Sequence, residues 1–190
     1  MAGERKQEIL QTGIEIIAGE GYGNLSMRAL ARASGMKLGA LQYHFPTWDD
    51  LLRALVSYIA DEIREAFELR NLHTGSPSVA EIAAFVLEDT AGTGNASLSD
   101  RLWPQLWAME QVEPLVSDLL EEVYAEYVGV LEKAMKAAGV ESPRGEALCL
   151  MSILEGESLF TGEGRRWQGD RAIVRETILK FVDDRYGDRS

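Results

Sequence analysis

Residues 26–45 read SMRALARASGMKLGALQYHF and hold the side chains in this chain whose types and spacing best suit a chemical task. Ala31 is small enough for two helices to cross closely. Gly35, four residues on, tolerates the positive φ of a tight turn. Leu30, Met36 and Leu41 supply apolar residues around that turn. The spacing fits a helix-turn-helix whose second helix enters the major groove of duplex DNA, and a plain helical hairpin uses the same residues. In the first reading Gln42 reads adenine through its amide, while Leu38 and Ala40 meet a thymine methyl. Lys37 contacts phosphate or guanine, and Gly39 permits close backbone approach. Tyr43 and His44 reach phosphate or sugar, with a packing role for His44 as the alternative. Arg28 suits a backbone phosphate. Ser26 and Thr47 stand at helix starts, where each caps its helix and the exposed N–H groups hold phosphate. In the hairpin reading the exposed residues of this set are simply solvated.

Other chemistry finds little support. The sequence has no Gly-rich phosphate loop, no His-Glu-x-x-His and no Gly-x-Ser-x-Gly, so no catalytic residues are assigned. A single cysteine, Cys149, excludes an internal disulfide and a thiolate zinc cluster. With only His44 and His73 as imidazoles, neither a metal site nor a cofactor is expected. The first ten residues, MAGERKQEIL, lack the apolar run of a secretory signal, and no stretch approaches the ~18 apolar residues of a membrane span. The expectation is a cytoplasmic protein without membrane contact.

The 190 residues suffice for one domain or two small ones. Apolar residues make up 46% and charged residues 26%, an ordinary globular balance that excludes disordered and collagen-like classes. The formal net charge of −12 opposes nucleic-acid binding if spread evenly. It is not spread evenly: residues 1–60 hold six basic and six acidic residues, so residues 61–190 carry all of it. The two parts are suited to different tasks.

Helical periodicity runs through most of the chain, and no alternating strand pattern of useful length appears. Leu10, Ile14 and Ile17 mark a first helix at about 4–20, ended by Gly21 and Gly23. Short helices follow at about 27–33 and 37–44, the latter stopping near Phe45-Pro46. Thr47 and the acidic pair Asp49-Asp50 open a long fourth helix carrying Leu52, Leu55, Val56, Ile59, Ile63 and Phe67. A fifth helix is expected at about 79–91, then a loop over Gly92–Ser97. The sixth carries Trp103 and Trp107, the seventh opens at Glu113-Pro114, and the eighth opens at Pro143. Asp170 is expected to cap the ninth. The eighth helix is apolar on nearly all sides over residues 147–154, so it is covered either by its own chain or by another subunit.

The stretch from Arg5 to Leu52 resembles the N-terminal domain of TetR-family transcriptional regulators. The resemblance rests on Ile9-Leu10, Gly21-Tyr22, Leu25-Ser26-Met27-Arg28, Leu30-Ala31, Ala33-Ser34-Gly35, Gly39-Ala40-Leu41, Tyr43-His44-Phe45 and Leu51-Leu52, in that order. It covers roughly the first third of the chain. The chain departs from the family pattern at Lys37-Leu38-Gly39, where Ser-Lys-Gly is common, at Gln42 where a Tyr is frequent, and at Trp48 where a Lys is frequent. These departures imply fewer phosphate contacts and a shallower salt dependence. A weaker likeness, through Leu102-Trp103, Leu106-Trp107-Ala108 and Glu155-Gly156, points to the BetI-type branch.

The resemblance implies an all-α protein of about nine helices: a three-helix DNA-binding domain over 1–47 and a larger ligand-binding and dimerisation domain over 48–190. It implies a homodimer whose last two helices build the interface, here through Leu148, Met151, Ile153, Leu154, Val174, Ile178 and Phe181. Phe85, Trp103, Trp107, Met109, Tyr124 and Tyr127 are pocket candidates for an apolar or cationic molecule, and core packing explains the same residues. Glu155 is a pocket group, an interface residue or a solvated one. The expected function is a repressor that binds a palindromic double-stranded DNA operator and is released by a small-molecule effector. The fourth helix, which joins both domains, is the expected lever. The rival is a dimeric helical small-molecule-binding protein or enzyme with a degenerate helix-turn-helix, and the net charge favours that rival.

Overall fold

The computed structural model describes residues 2–70, 72, 75–88 and 100–187. Nine α-helices and no strand occur among them: α1 (Ala2–Glu20), α2 (Met27–Ala33), α3 (Leu38–His44), α4 (Trp48–Leu69), α5 (Val79–Val86), α6 (Leu102–Glu110), α7 (Pro114–Ala137), α8 (Pro143–Thr161) and α9 (Arg171–Tyr186). Single 3-10 turns occupy Tyr22–Asn24 and Gln168–Asp170. None of the described helices is long and apolar enough to cross a membrane. The chain divides into two compact units: residues 1–64 with 90–122, and residues 65–89 with 123–190. This division differs from a boundary at 47/48 because α6 packs on α1 and on the first 3-10 turn.

In the first unit, the apolar stripe of α1 (Ile9, Leu10, Ile14, Ile17) is buried, as are Leu51, Leu52, Leu55, Val56 and Ile59 of α4. Each such side chain stabilises the unit by roughly 1.5–3 kcal/mol. Gly13 lets α1 approach α4 closely: a Cβ there would sit 3.1 Å from Leu55 Cδ2. The short helices depend on their ends. The Ser26 side chain accepts from the Ala29 N–H at 3.1 Å, capping α2. At the other end Gly35 takes φ +66, Met36 N–H donates to Ala31 O at 2.9 Å and Gly35 N–H to Arg32 O at 3.1 Å, the Schellman pattern. Thr47 and Asp50 cap α4 reciprocally: Asp50 N–H donates to Thr47 Oγ1 at 3.1 Å, and Thr47 N–H to Asp50 Oδ2 at 3.1 Å.

The second unit is built on Phe67, Ile82, Val123, Tyr127, Leu131, Met135, Leu150 and Leu154, all buried. Its α8 and α9 run antiparallel. Arg185, late in α9, meets Glu146, early in α8, at 2.8 Å. At the opposite end, the buried Glu157 carboxylate takes Arg171 at 3.0 Å and Arg175 at 3.3 Å, and accepts from the Thr161 hydroxyl.

Several sequence expectations need correction. The described α5 ends at Val86, well short of 91: Leu87 N–H closes on Ala83 O, and Glu88 pairs with Arg70 at 2.6 Å instead of continuing the helix. Residues 92–97, expected as a loop, lie outside the described residues, as does His73. Asp170 precedes α9 but its side chain does not cap it, because the residue ends a 3-10 turn with φ −92 and ψ −1 rather than extended backbone. Lys37 precedes α3 rather than opening it. Only one side of α8 is covered within its unit: Ala147, Leu150, Met151 and Leu154 are buried, whereas Leu148, Leu159 and Phe160 are exposed.

Candidate nucleic-acid interface

The α2–turn–α3 segment forms a small platform whose inner side is apolar. Leu30, Ala31, Leu41 and Phe45 are buried. Because Leu41 and Phe45 point inward, the intervening positions of α3 face out. Gly39, Ala40, Gln42 and Tyr43 are exposed, Tyr43 to 87%. Ser26, Arg28, Lys37 and Thr47 are exposed as well, while Leu38 and His44 are partly buried. The His44 ring lies edge-on to Tyr43, with centroids 5.7 Å apart, and is tilted against Phe45 at 6.4 Å. It thus combines the packing role with a partly open edge.

The electrostatics of this platform differ from those of the chain. Residues 21–48 contain no Asp or Glu, and their three cations, Arg28, Arg32 and Lys37, are all exposed. A chain of net charge −12 therefore carries one stretch whose own side chains are net positive, which favours phosphate binding there. The exposed side chains add amide and hydroxyl groups able to pair with base edges or phosphate. Among the described residues no cluster of three or more His, Cys, Asp or Glu is placed to hold a metal ion.

Two supporting residues escape sequence reasoning. Arg5, early in α1, donates to the Ser34 carbonyl of the α2–α3 turn at 2.8 Å, 29 residues away. Lys6 sits 5.3 Å from the centre of the Phe45 ring, a cation–π contact at the end of α3. Both cations of α1 thus contact the α2–α3 segment. Of the contacts these two cations make, the Arg5–Glu8 pair, at i,i+3 and 2.8 Å, follows a local spacing rule.

The pocket candidates fall into two groups. Trp103, Trp107 and Met109 belong to α6 in the first unit, the tryptophans partly buried and Met109 fully so. In the second unit Phe85 and Tyr127 are brought together by Phe67, a residue of the apolar side of α4 that is not among the pocket candidates. Its ring lies edge-on to Phe85 at 4.5 Å and stacked on Tyr127 at 4.9 Å. Tyr124 meets Tyr127 edge-on at 6.5 Å. Glu155 on α8 is partly buried, and loss of water around it pushes its carboxyl up to about 7.

The dimer candidates also divide. Leu148 and Phe181 are exposed, and Ile153, Val174 and Ile178 are partly buried. Met151 and Leu154 are instead buried within their own unit, at 6% and 3% exposure, so they offer almost no surface to a second chain. The apolar residues left open on α8 and α9 include Leu159, Phe160 and Ile173, which sequence analysis did not select.

Residues 9–55 match the model of the bacterial regulatory proteins of the tetR family. An uncharacterised HTH-type transcriptional regulator from the dhlA 5′ region of Xanthobacter autotrophicus is 28% identical over 159 residues, covering 82% of this chain and 78% of the relative. The HTH-type transcriptional regulator BetI 2 of Chromohalobacter salexigens is 26% identical over 176 residues, covering 85% and 83%. The solved structure of a transcriptional regulator from Saccharomonospora viridis in complex with choline shares the fold, with a TM-score of 0.75, 20% identity and coverage of 98% and 100%. The family match spans the α2–α3 platform, and the relatives extend over both units. Residues 9–55 thus carry the signature of the tetR-family DNA-binding region, and over most of its length the chain is similar to HTH-type transcriptional regulators.

Proposed function

We propose that this protein is a homodimeric, ligand-responsive repressor that binds a palindromic operator and is released by a small molecule. Residues 1–47 serve as the DNA-binding domain and residues 48–190 as the ligand-binding and dimerisation domain. The observation that carries the reading is the outward row Gly39, Ala40, Gln42 and Tyr43 in a stretch, residues 21–48, that has three exposed cations and no Asp or Glu of its own. In this reading Gln42 and Lys37 contact base edges, and Leu38 and Ala40 meet thymine methyls. Ser26, Arg28, Tyr43, His44 and Thr47 hold phosphates on either side, and the N-termini of α2 and α4 add backbone N–H groups.

Dimerisation supplies the second half-site. The exposed apolar side chains Leu148, Phe160, Ile173 and Phe181 on an antiparallel α8–α9 pair support that role. The effector is proposed to be a small organic cation. The aromatic cluster of Phe67, Phe85 and Tyr127 and the half-buried Glu155 supply the two chemistries such a cation requires, π faces and a carboxylate. Choline in the Saccharomonospora structure is a cation of that class. Release follows only insofar as the effector binds one conformation better than the other.

Fluorescence anisotropy with the DNA flanking the protein's own gene tests the reading, at two salt concentrations and with unrelated duplex as competitor. Competitor-resistant binding that choline weakens is the expected result. Equal, weak binding to both duplexes, joined by failure to enrich any fragment from the whole genome, would refute it.

A further inference from the structure

A polar joint in the first unit links the DNA platform to the α6–α7 turn. Its centre is Glu113. The backbone of this residue is shared by two helices: its N–H donates to Met109 O of α6 at 2.8 Å, and its carbonyl accepts from Val116 and Ser117 of α7 at 2.9 and 3.2 Å. Its orientation is therefore set by how α6 meets α7. The side chain is not used for capping. One carboxylate oxygen, Oε1, accepts from the Tyr22 hydroxyl and from Trp48 Nε1–H at 3.2 Å.

Both donors lie at ends of the platform. Tyr22 is in the 3-10 turn between α1 and α2. Trp48 is the first residue of α4, four residues after the end of α3. Tyr22 is held at a second point, since its backbone N–H donates to Gln105 Oε1 of α6 at 3.1 Å. Burial, together with the neighbouring Glu113 charge, drives the Tyr22 phenol far above its ordinary pKa, so it remains a donor and Glu113 the acceptor. Hydrogen bonds to a charged carboxylate are about twice as strong as neutral ones, and here one oxygen holds two donors from different segments.

We infer that Glu113 is a positioning residue for DNA reading, which sets the pose of α3 by tying Tyr22 and Trp48 to the α6–α7 turn. The inference rests on the reading of α3 as the DNA-contacting helix. Glu113 is 91 residues from Tyr22 and 65 from Trp48, so any shift of the α6–α7 turn reaches both ends of the platform through one side chain.

The test uses the full-length protein and a duplex enriched from its genome by the wild type. Tyr22→Phe and Trp48→Phe each delete one donor and keep a ring in place. Glu113→Gln keeps an acceptor oxygen, and Glu113→Ala removes both. Duplex affinity is measured well below each variant's own melting temperature, which is determined separately. The expected result is about a tenfold loss of specific affinity in Glu113→Ala and a smaller loss in each Phe variant. Non-specific affinity stays at the wild-type level, Glu113→Gln recovers part of the loss, and Tyr22→Phe adds nothing on top of Glu113→Ala. If Glu113→Ala fails to fold, the two Phe variants carry the test. Variants that melt earlier yet bind the specific duplex like the wild type would overturn the inference, leaving Glu113 as a structural contact only. A wild type that enriches no duplex would overturn the underlying DNA-reading assignment instead.

Discussion

The platform of α2 and α3 and the outer face of α8 and α9 both leave rows of residues in solvent, but of opposite chemistry. On α3 the open positions are small or hydrogen-bonding, namely Gly39, Ala40, Gln42 and Tyr43. On α8 and α9 they are Leu148, Leu159, Phe160, Ile173 and Phe181. The two helices of the first surface carry cations and no carboxylate of their own, which suits a hydrated polyanion. The second exposes carbon to water, which suits burial against another protein surface. The same contrast appears in how each region is fastened. The platform relies on caps, a positive-φ glycine and cations of α1. The α8–α9 pair relies on a buried ion cluster around Glu157.

Four experiments break or sharpen this contrast. The largest effect is expected from charging the apolar face. Ile173→Asp with Phe181→Asp should turn a dimer into a monomer in sedimentation, and operator affinity should fall by at least about a hundredfold as the second half-site is lost. Retention of the dimer would remove this face from the interface. Next, Glu157→Ala should cost about 3 kcal/mol of unfolding free energy in denaturant titration, because a buried carboxylate shared by two guanidinium groups is lost. Stability within 1 kcal/mol of the wild type would mean that packing alone fixes α9.

Glu155 gives a pH-dependent effect of intermediate size. Its carboxyl is raised to about 7 in the folded state, so the folded chain holds a proton that the unfolded chain releases at lower pH. Stability should therefore fall as pH rises from about 4.5 to about 7 and level off above, by on the order of 3 kcal/mol. Glu155→Gln should abolish that slope and exceed the wild type in melting temperature at pH 8. An unchanged slope in the variant would assign the dependence to other groups. The smallest effect belongs to the platform turn. Gly35→Ala forces a side chain into φ +66 and should cost about 1–2 kcal/mol, read as a lowered melting temperature, with the α3 surface chemically intact.

The parts of the molecule that are legible in its sequence are those fixed by neighbours in the chain. Ser26, Gly35 and the Thr47–Asp50 pair act within three to five residues, and each performs the local role that its type implies. Leu41 and Phe45 lie four residues apart on one side of a single helix, so the outward set on α3 follows from them. Where partners lie far along the chain, sequence is mute. Arg5 meets Ser34 and Glu113 meets Trp48 and Tyr22 across 29 to 91 residues, with no spacing rule to signal either. On α8 the difficulty is different. Over residues 147–154 nearly every position is apolar, so periodicity cannot separate Met151 and Leu154, which face inward, from Leu148, which faces out. Asp170 misleads for a third reason: the residue type suits a cap, but the preceding 3-10 turn fixes a backbone that cannot present its side chain.

The central claim is that α3 reads DNA from a segment, residues 21–48, with no Asp or Glu of its own on an otherwise acidic chain. The most direct test is a titration of the wild type and of Gln42→Ala into the genome-enriched duplex and an unrelated duplex, each at two salt concentrations. The account predicts tight, salt-sensitive and duplex-selective binding by the wild type, with selectivity reduced in Gln42→Ala by about 1–3 kcal/mol while non-specific affinity is kept. Equal affinity of both proteins for both duplexes would contradict it.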